Sequence, residues 1–280
     1  MRILATALAL ILLCGCAAGT SSQTASSQES SKENSSQAVS SQPASSQASS
    51  QPENSATERE TFVSEMEELF VSSRKKNKDT VGYIQIPAAD IDFPVVQGKD
   101  NDYYLKHTFN HVRSMYGSIF LDFRNTLTAN DPLDPNTIIY GHNILYQEVM
   151  FGRLERFRKY DFAKENQFVY LMTDQGLLVF RIFAAFITDT DFYYIEPKPE
   201  TDVFENLVGG ALARSHFVYD TDILPTDRLL TLQTCTFEYG YGTNTRYVVM
   251  ARLLREGERE TPVPIFHNTN RLKPTVQKVK

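Results

Sequence analysis

Cysteine is nearly missing from this 280-residue chain: there are three, and two of them, Cys14 and Cys16, fall at the extreme N-terminus. The third, Cys235, lies far downstream, so the disulfide framework that staples small secreted domains is not available. A surplus of positive charge is also lacking. Lys and Arg number 28 against 34 Asp and Glu, a formal net charge of −6, which removes the electrostatic footprint of a nucleic-acid binder. The basic residues are scattered singles or short clusters such as Arg74-Lys75-Lys76, the pattern of solvated faces. There is no internal repeat, which argues against a solenoid. Metal-ligand sets are absent too. His107 and His111 are four apart, but no thiol or carboxylate completes a site, and no metal or cofactor is expected. His216 and His267 carry no informative context.

Apolar runs are confined to the first residues. Ile3 to Leu13, broken only by Thr6, follows Arg2 and ends in L-C-G-C, Leu13 to Cys16. This is a secretory signal pattern, too short for a comfortable membrane span. Leu-x-Gly-Cys resembles the lipobox of bacterial lipoproteins, which implies that Cys16 is acylated and that residues 1–16 include the leader. The competing reading is an uncleaved signal anchor running through Ala18. Either one places the rest of the chain outside the cytoplasmic membrane and tethered to it. Residues 17–57 are Ser, Gln and Ala with no aromatic residue, a composition that cannot offset its own ordering entropy. They read as a disordered tether with a reach of roughly 35 Å.

Residues 58–256 have the length and pattern of one domain with a full core. Thr61 to Lys76 has helical spacing of apolar residues and acid in its opening turn. Short strands follow: Val81 to Ile86, Ile91 to Val96, Gly117 to Leu121, Thr137 to Tyr140, Phe168 to Thr173, Leu177 to Ile187, Leu229 to Cys235 and Tyr247 to Leu254. Asp174-Gln175-Gly176 reads as a hairpin turn. Short helices fit Asn101 to Lys106, Glu148 to Arg158 and Phe204 to Arg214. Many short strands with few helices predict a mainly β fold, closed or nearly closed into a barrel that leaves no edge. Residues 257–280 mix prolines, polar residues and a basic end; they read as a tail that frays or lies along the surface.

Cys235 ends the strand T-L-Q-T-C. A cysteine in a strand is by default a small apolar core residue; the alternative is a thiol kept for its reactivity. His142 sits just past a fully apolar strand in I-I-Y-G-H-N, where an imidazole is presented rather than packed. Arg246 opens the strand after the Gly-rich loop Glu238 to Thr245, so it should lie near the end of the preceding strand; an ordinary strand-edge arginine is the other reading. Together the three form a chemical set. A thiolate attacks a carbonyl carbon, an imidazole protonates the leaving amine, and a rigid guanidinium steadies the oxyanion.

T-L-Q-T-C resembles the TLxTC signature of sortases, the cysteine transpeptidases of Gram-positive cell surfaces. The order His, Cys, Arg is also theirs. G-Y-I-Q-I-P, I-D-F-P-V-V-Q-G-K-D-N-D-Y-Y-L-K-H-T-F, G-S-I-F-L-D-F-R-N and M-F-G-R-L resemble the class B branch. The resemblance runs from about Val81 to Leu254. It implies a closed barrel of seven to eight strands with an N-terminal helix, Cys235 as nucleophile, His142 as general acid/base and Arg246 as the oxyanion and substrate arginine. It further implies cleavage of an Asn-Pro-x-Thr-x-like sorting motif at the Thr-x bond, then transfer of the acyl group to an amine of cell-wall precursor or a pilin lysine. Class B members need no metal. Asn101, Leu105, Thr190, Tyr194 and Ile195 correspond to the substrate groove, and the backbone N–H of Thr236 to part of the oxyanion hole.

Three features depart from the family pattern. Gln233 stands where class B often has a substrate-facing Ser. The loop before Arg246, with Gly240 and Gly242, is slightly longer than in some members. The N-terminus is lipobox-like rather than a plain signal anchor. Rival readings are a catalytically silent surface lipoprotein that uses the barrel to bind, and a hydrolytic extracellular cysteine peptidase. Papain-like and NlpC/P60-type peptidases, however, place Cys before His.

Overall fold

The computed structural model of the chain describes residues 52–130, 133–144, 147 and 149–279. The expected leader, Cys16 and nearly all of the expected tether lie outside the described residues. Among the described residues, no helix is long and apolar enough to cross a membrane.

The chain begins with helix α1 (Pro52–Lys76) and continues through strands β1 (Thr80–Ile86), β2 (Ile91–Val96), β3 (Phe120–Leu121) and β4 (Asn136–Tyr140). A 3₁₀ segment (Met150–Arg158) and helix α2 (Tyr160–Glu165) lead into β5 (Phe168–Thr173) and β6 (Gly176–Thr188). Helix α3 (Thr201–Arg214), β7 (Phe217–Tyr219), β8 (Leu229–Cys235), β9 (Arg246–Leu253) and β10 (Ile265–His267) complete it. Eight strands close into a barrel in the order β1-β2-β3-β4-β8-β9-β6-β5, with β5 returning to β1. Closure pairs the edges of the eight barrel strands, while β7 and β10 form a separate two-stranded sheet.

The alternation of β8 and β9 explains why they sit at the centre. Leu230, Leu232, Tyr247, Val249 and Ala251 point into the main core inside the barrel. Their neighbours Leu229, Val248 and Met250 point the other way, against Phe204, Leu207, Val208 and Ala211 of α3. Successive strand residues face opposite sides, so both faces of this strand pair are buried and the pair is held stiffly. Each fully buried Leu, Val or Phe contributes about 1.5–3 kcal/mol of transfer free energy. At the other end, α1 lays Met66 and Phe70 against Tyr83 and Met172.

Three local expectations change. Residues 101–106 form a series of turns rather than a helix, because the side chain of Asp100 accepts from the backbone N–H groups of Asp102 and Tyr103, a turn-forming bond that competes with helix. β3 is only two residues long, since Gly117 adopts φ +56° and breaks the extended run. α1 begins at Pro52, inside the stretch read as tether. Of the two readings given for the tail, residues 257–279 take the second and lie along the body at several points. β10 pairs with β7, Glu258 meets Arg252, and residues 275–279 run along the loop before β9.

Candidate active site

Three neighbouring strands end on one rim of the barrel, and each carries one of the residues singled out in the sequence. β8 and β9 are antiparallel, with Cys235, the last residue of one, directly opposite Arg246, the first of the other. β4 runs parallel to β8 with Tyr140 opposite Gln233, and the Gly141 N–H donates to the Gln233 carbonyl at 3.1 Å. His142 therefore leaves β4 at the level of Cys235. Strands are spaced about 4.8 Å apart, so the backbones of His142, Cys235 and Arg246 fall within about 10 Å. Cys235 carries a thiol rather than half of a disulfide and is partly exposed, as a reactive sulfur must be.

His142 is half-buried, and its Nε2 lies 2.8 Å from the carbonyl oxygen of Leu105. That carbonyl can only accept, so Nε2 carries the proton and Nδ1 is left as the acceptor of the neutral ring. Leu105 thus meets the site through its backbone, while its side chain packs beside Tyr104, Phe120 and Tyr140. Gly117 makes this arrangement possible. A Cβ there would sit 2.7 Å from the carbonyls of Tyr104 and Leu105 and 3.0 Å from His142 Cδ2, and its φ of +56° disfavours any side chain.

Arg246 is buried, at 5% exposure, and its Nη1 donates to the Thr245 carbonyl at 2.9 Å. Beside it, the buried Tyr194 hydroxyl donates to Gln233 Oε1 at 2.6 Å. Burial above all, with the neighbouring Cys235 and Asp189, pushes the Tyr194 hydroxyl pKa up against the opposing pull of Arg246. Gln233 thus spends its side-chain oxygen on Tyr194. Thr236 is buried one residue past the last ladder pair. Thr190 is exposed, and Ile195 is half-buried between two clusters at the wall of the rim.

Asn101, the other residue expected at the groove, is buried. Its amide is buried and committed on both sides, with Nδ2 donating to Asp122 Oδ2 at 3.0 Å and Oδ1 accepting from the Phe123 N–H at 3.0 Å. Asp122 is the centre of this network, which sequence reasoning passed over. Its fully buried carboxylate also accepts from Tyr140 Oη at 2.7 Å and from Arg124 at 2.9 and 2.8 Å. Burial alone would raise the Asp122 pKa, but the bonds from Arg124 and Tyr140 outweigh it and hold the carboxyl below the usual range. Arg124 in turn reaches the Ile195 carbonyl at 2.7 Å. Asn136 adds a second tie, donating to the carbonyls of Tyr194 and Glu196 and accepting from Thr231 Oγ1. The signal for Asp122 and Arg124 was present in L-D-F-R-N, quoted above only as a family mark. His107 and His111 instead gather around Tyr103, one stacked at 4.2 Å and the other with Nδ1 3.1 Å from its hydroxyl. No group of three metal-ligating side chains exists among the described residues.

A sortase domain model matches residues 84–254. The chain belongs to the sortase family. It is 40% identical to sortase B of Listeria monocytogenes over 185 residues, covering 65% of this chain and 72% of the relative. Sortase B of Clostridium perfringens superposes with a TM-score of 0.59 at 34% identity, covering 66% of this chain and 98% of that one. A Staphylococcus aureus sortase B–substrate complex superposes with a TM-score of 0.61 at 30% identity, covering 73% and 99%. These relatives identify a class B sortase, a cysteine transpeptidase, and the eight-stranded closed barrel is the fold that the family resemblance implies.

Proposed function

We propose that this sortase cleaves an Asn-Pro-x-Thr-x-like sorting motif at its Thr-x bond through a thioacyl intermediate on Cys235. The acyl group then passes to an amine of cell-wall precursor or of a pilin lysine. The observation that carries this reading is the register that sets Cys235 opposite Arg246 while His142 leaves the adjoining strand at the same level.

Each step uses a group of this chain. The Cys235 thiol gives its proton to the neutral His142 ring, the thiolate so formed attacks the Thr carbonyl carbon, and negative charge grows on the carbonyl oxygen. Arg246, a buried permanent cation, and the Thr236 N–H stabilise that charge where it develops. Collapse of the tetrahedral species expels the amine, which takes a proton from the His142 imidazolium. The incoming amine gives a proton to His142 as it attacks the thioester, and the released Cys235 thiolate takes that proton back, so both groups return to their starting state. Leu105, Thr190, Tyr194, Ile195 and Gln233 form or support the wall on which the sorting motif lies. The S. aureus relative was solved as a substrate complex, which supports a substrate-binding role for this chain. Cys16 or a signal anchor holds the enzyme on the outer face of the membrane, with the Ser/Gln-rich stretch as spacer.

The test is product analysis with a sorting-motif peptide and a panel of amines. Transpeptidation predicts an amide product that depends on the amine and outpaces hydrolysis. Cleavage to the free acid alone, whatever amine is present, would support a hydrolytic peptidase instead.

A further inference from the structure

Asn143, the residue after His142, has no part in the scheme above, yet its side chain touches the nucleophile's own backbone. Its Nδ2 donates to the Cys235 carbonyl at 2.9 Å and to Glu155 Oε1 at 3.2 Å. Both partners are acceptors, so the amide nitrogen, not its oxygen, must face them. The side chain is buried, at 8% exposure, and Glu155 is itself held by Arg158, which also pairs with Glu238 at 2.8 Å.

The geometry points to a positioning role: we propose that Asn143 aims the Thr236 N–H at the oxyanion by fixing the peptide plane between Cys235 and Thr236. The C=O and N–H of a trans peptide lie in one plane and point in opposite directions. The β4–β8 ladder shows which way each points. Gly141 N–H donates to the Gln233 carbonyl, and two residues further on the Asn143 side chain donates to the Cys235 carbonyl. It supplies the next rung after the strand backbone has diverged. Strand groups repeat every second residue, so the Cys235 carbonyl faces β4 and the Thr236 N–H faces the β9 side, where Arg246 opens its strand.

A second observation supports a built feature. Gly152 lies against this amide, and a Cβ there would come within 2.6 Å of Asn143 Oδ1 and 3.1 Å of its Cγ. The 3₁₀ segment Met150–Arg158 therefore leaves the space that Asn143 fills and supplies Glu155 to hold it. This gives M-F-G-R-L a task in the site that its sequence alone did not suggest.

The inference rests on the proposed thioacyl mechanism and is tested by two rates measured on the same folded variants. One is acylation of Cys235 by a sorting-motif peptide, which builds an oxyanion. The other is alkylation of the thiol by iodoacetamide, which builds none. Asn143→Ala and Gly152→Ala are each expected to slow acylation about 10- to 100-fold, short of the full loss of a donor. The peptide KM and the alkylation rate should stay near wild type. Asn143→Asp, which keeps the shape but loses the donor, should behave as Asn143→Ala does. Acylation at the wild-type rate in folded Asn143→Ala would overturn the inference, and so would equal losses in both rates, since those report a disturbed thiol or imidazole. If Cys235→Ala still cleaves the peptide, the thioacyl reading itself fails. If cleavage requires Cys235 but not Asn143, only this inference fails.

Discussion

Two arginines stand near the two ends of β9, and both are buried: Arg246 at 5% exposure and Arg252 at 1%. Their surroundings differ. Arg252 is gripped by both oxygens of Glu258, at 2.6 and 2.7 Å, and donates to the Asp222 carbonyl. Among the described residues, Arg246 donates only to the Thr245 carbonyl and takes part in no ion pair. A buried cation costs several kcal/mol unless it is paired. The fold offsets that cost internally at Arg252, leaving a structural residue with no charge to offer. At Arg246 the cost stands, and the reading is that a developing oxyanion offsets it during the reaction. The same comparison explains why Arg252 and Arg255 cannot stand in for Arg246. Both are spent, Arg255 on Asp222 and Asp227.

The contrast can be broken at either end. Arg246→Ala should lower kcat/KM for the sorting peptide by about 10²- to 10³-fold, while the thermal midpoint holds or rises because an uncompensated buried charge is gone. Arg246→Lys should recover only part of the rate, since a point charge lacks the fixed fork; a wild-type rate in this variant would remove the rigid-fork argument.

Glu258→Gln should do the reverse. Stripping the counter-charge from Arg252 is expected to cost about 3 kcal/mol in denaturant unfolding, with acylation per folded molecule unchanged. A linked pH effect follows. The bonds from Arg252 pull the Glu258 carboxyl down to about 2 from its ordinary 4.5. A lowered carboxyl pKa contributes stability that is fully present above the unfolded value and lost as pH falls through the folded one. Wild type should thus lose stability progressively between about pH 4.5 and 2, and Glu258→Gln should show a flatter curve across that window.

The smallest expected effect concerns the loop that delivers Arg246. Residues 275–279 hold it: the Gln277 N–H donates to Asn244 Oδ1 at 2.8 Å, the Asn244 N–H to the Gln277 carbonyl at 3.0 Å, and the Val279 N–H to the Gly242 carbonyl at 2.8 Å. Ending the chain at Lys273 removes these bonds, each contributing about 0.5–1.5 kcal/mol. A few-fold drop in activity with little change in melting temperature is expected. An unchanged rate would mean that Arg246 is placed by β9 alone.

The barrel and the rim were legible in the sequence because both rest on local pattern. β5 and β8 match their predicted limits, since each is a short apolar and β-branched run next to turn-forming residues. Cys235, His142 and Arg246 stood out because each follows or opens an apolar strand. What was not legible is what long-range polar packing decides. Asp122 reads as a turn residue in L-D-F-R-N, and only the fold buries it among Asn101, Arg124 and Tyr140. The pairing of β10 with β7 joins segments that are far apart in sequence, neither with a strong pattern. Glu258 likewise looked like part of a tail until Arg252 was seen to need it.

The central claim is that Cys235 carries the acyl group. Intact-mass analysis of the purified domain mixed with a sorting-motif peptide, without added amine, tests it directly. The account predicts a mass gain equal to the peptide fragment ending in Thr, mapped to Cys235, reversed by hydroxylamine and absent in Cys235→Ala. Cleavage of the same peptide by Cys235→Ala, or an adduct mapped to another residue, would contradict it.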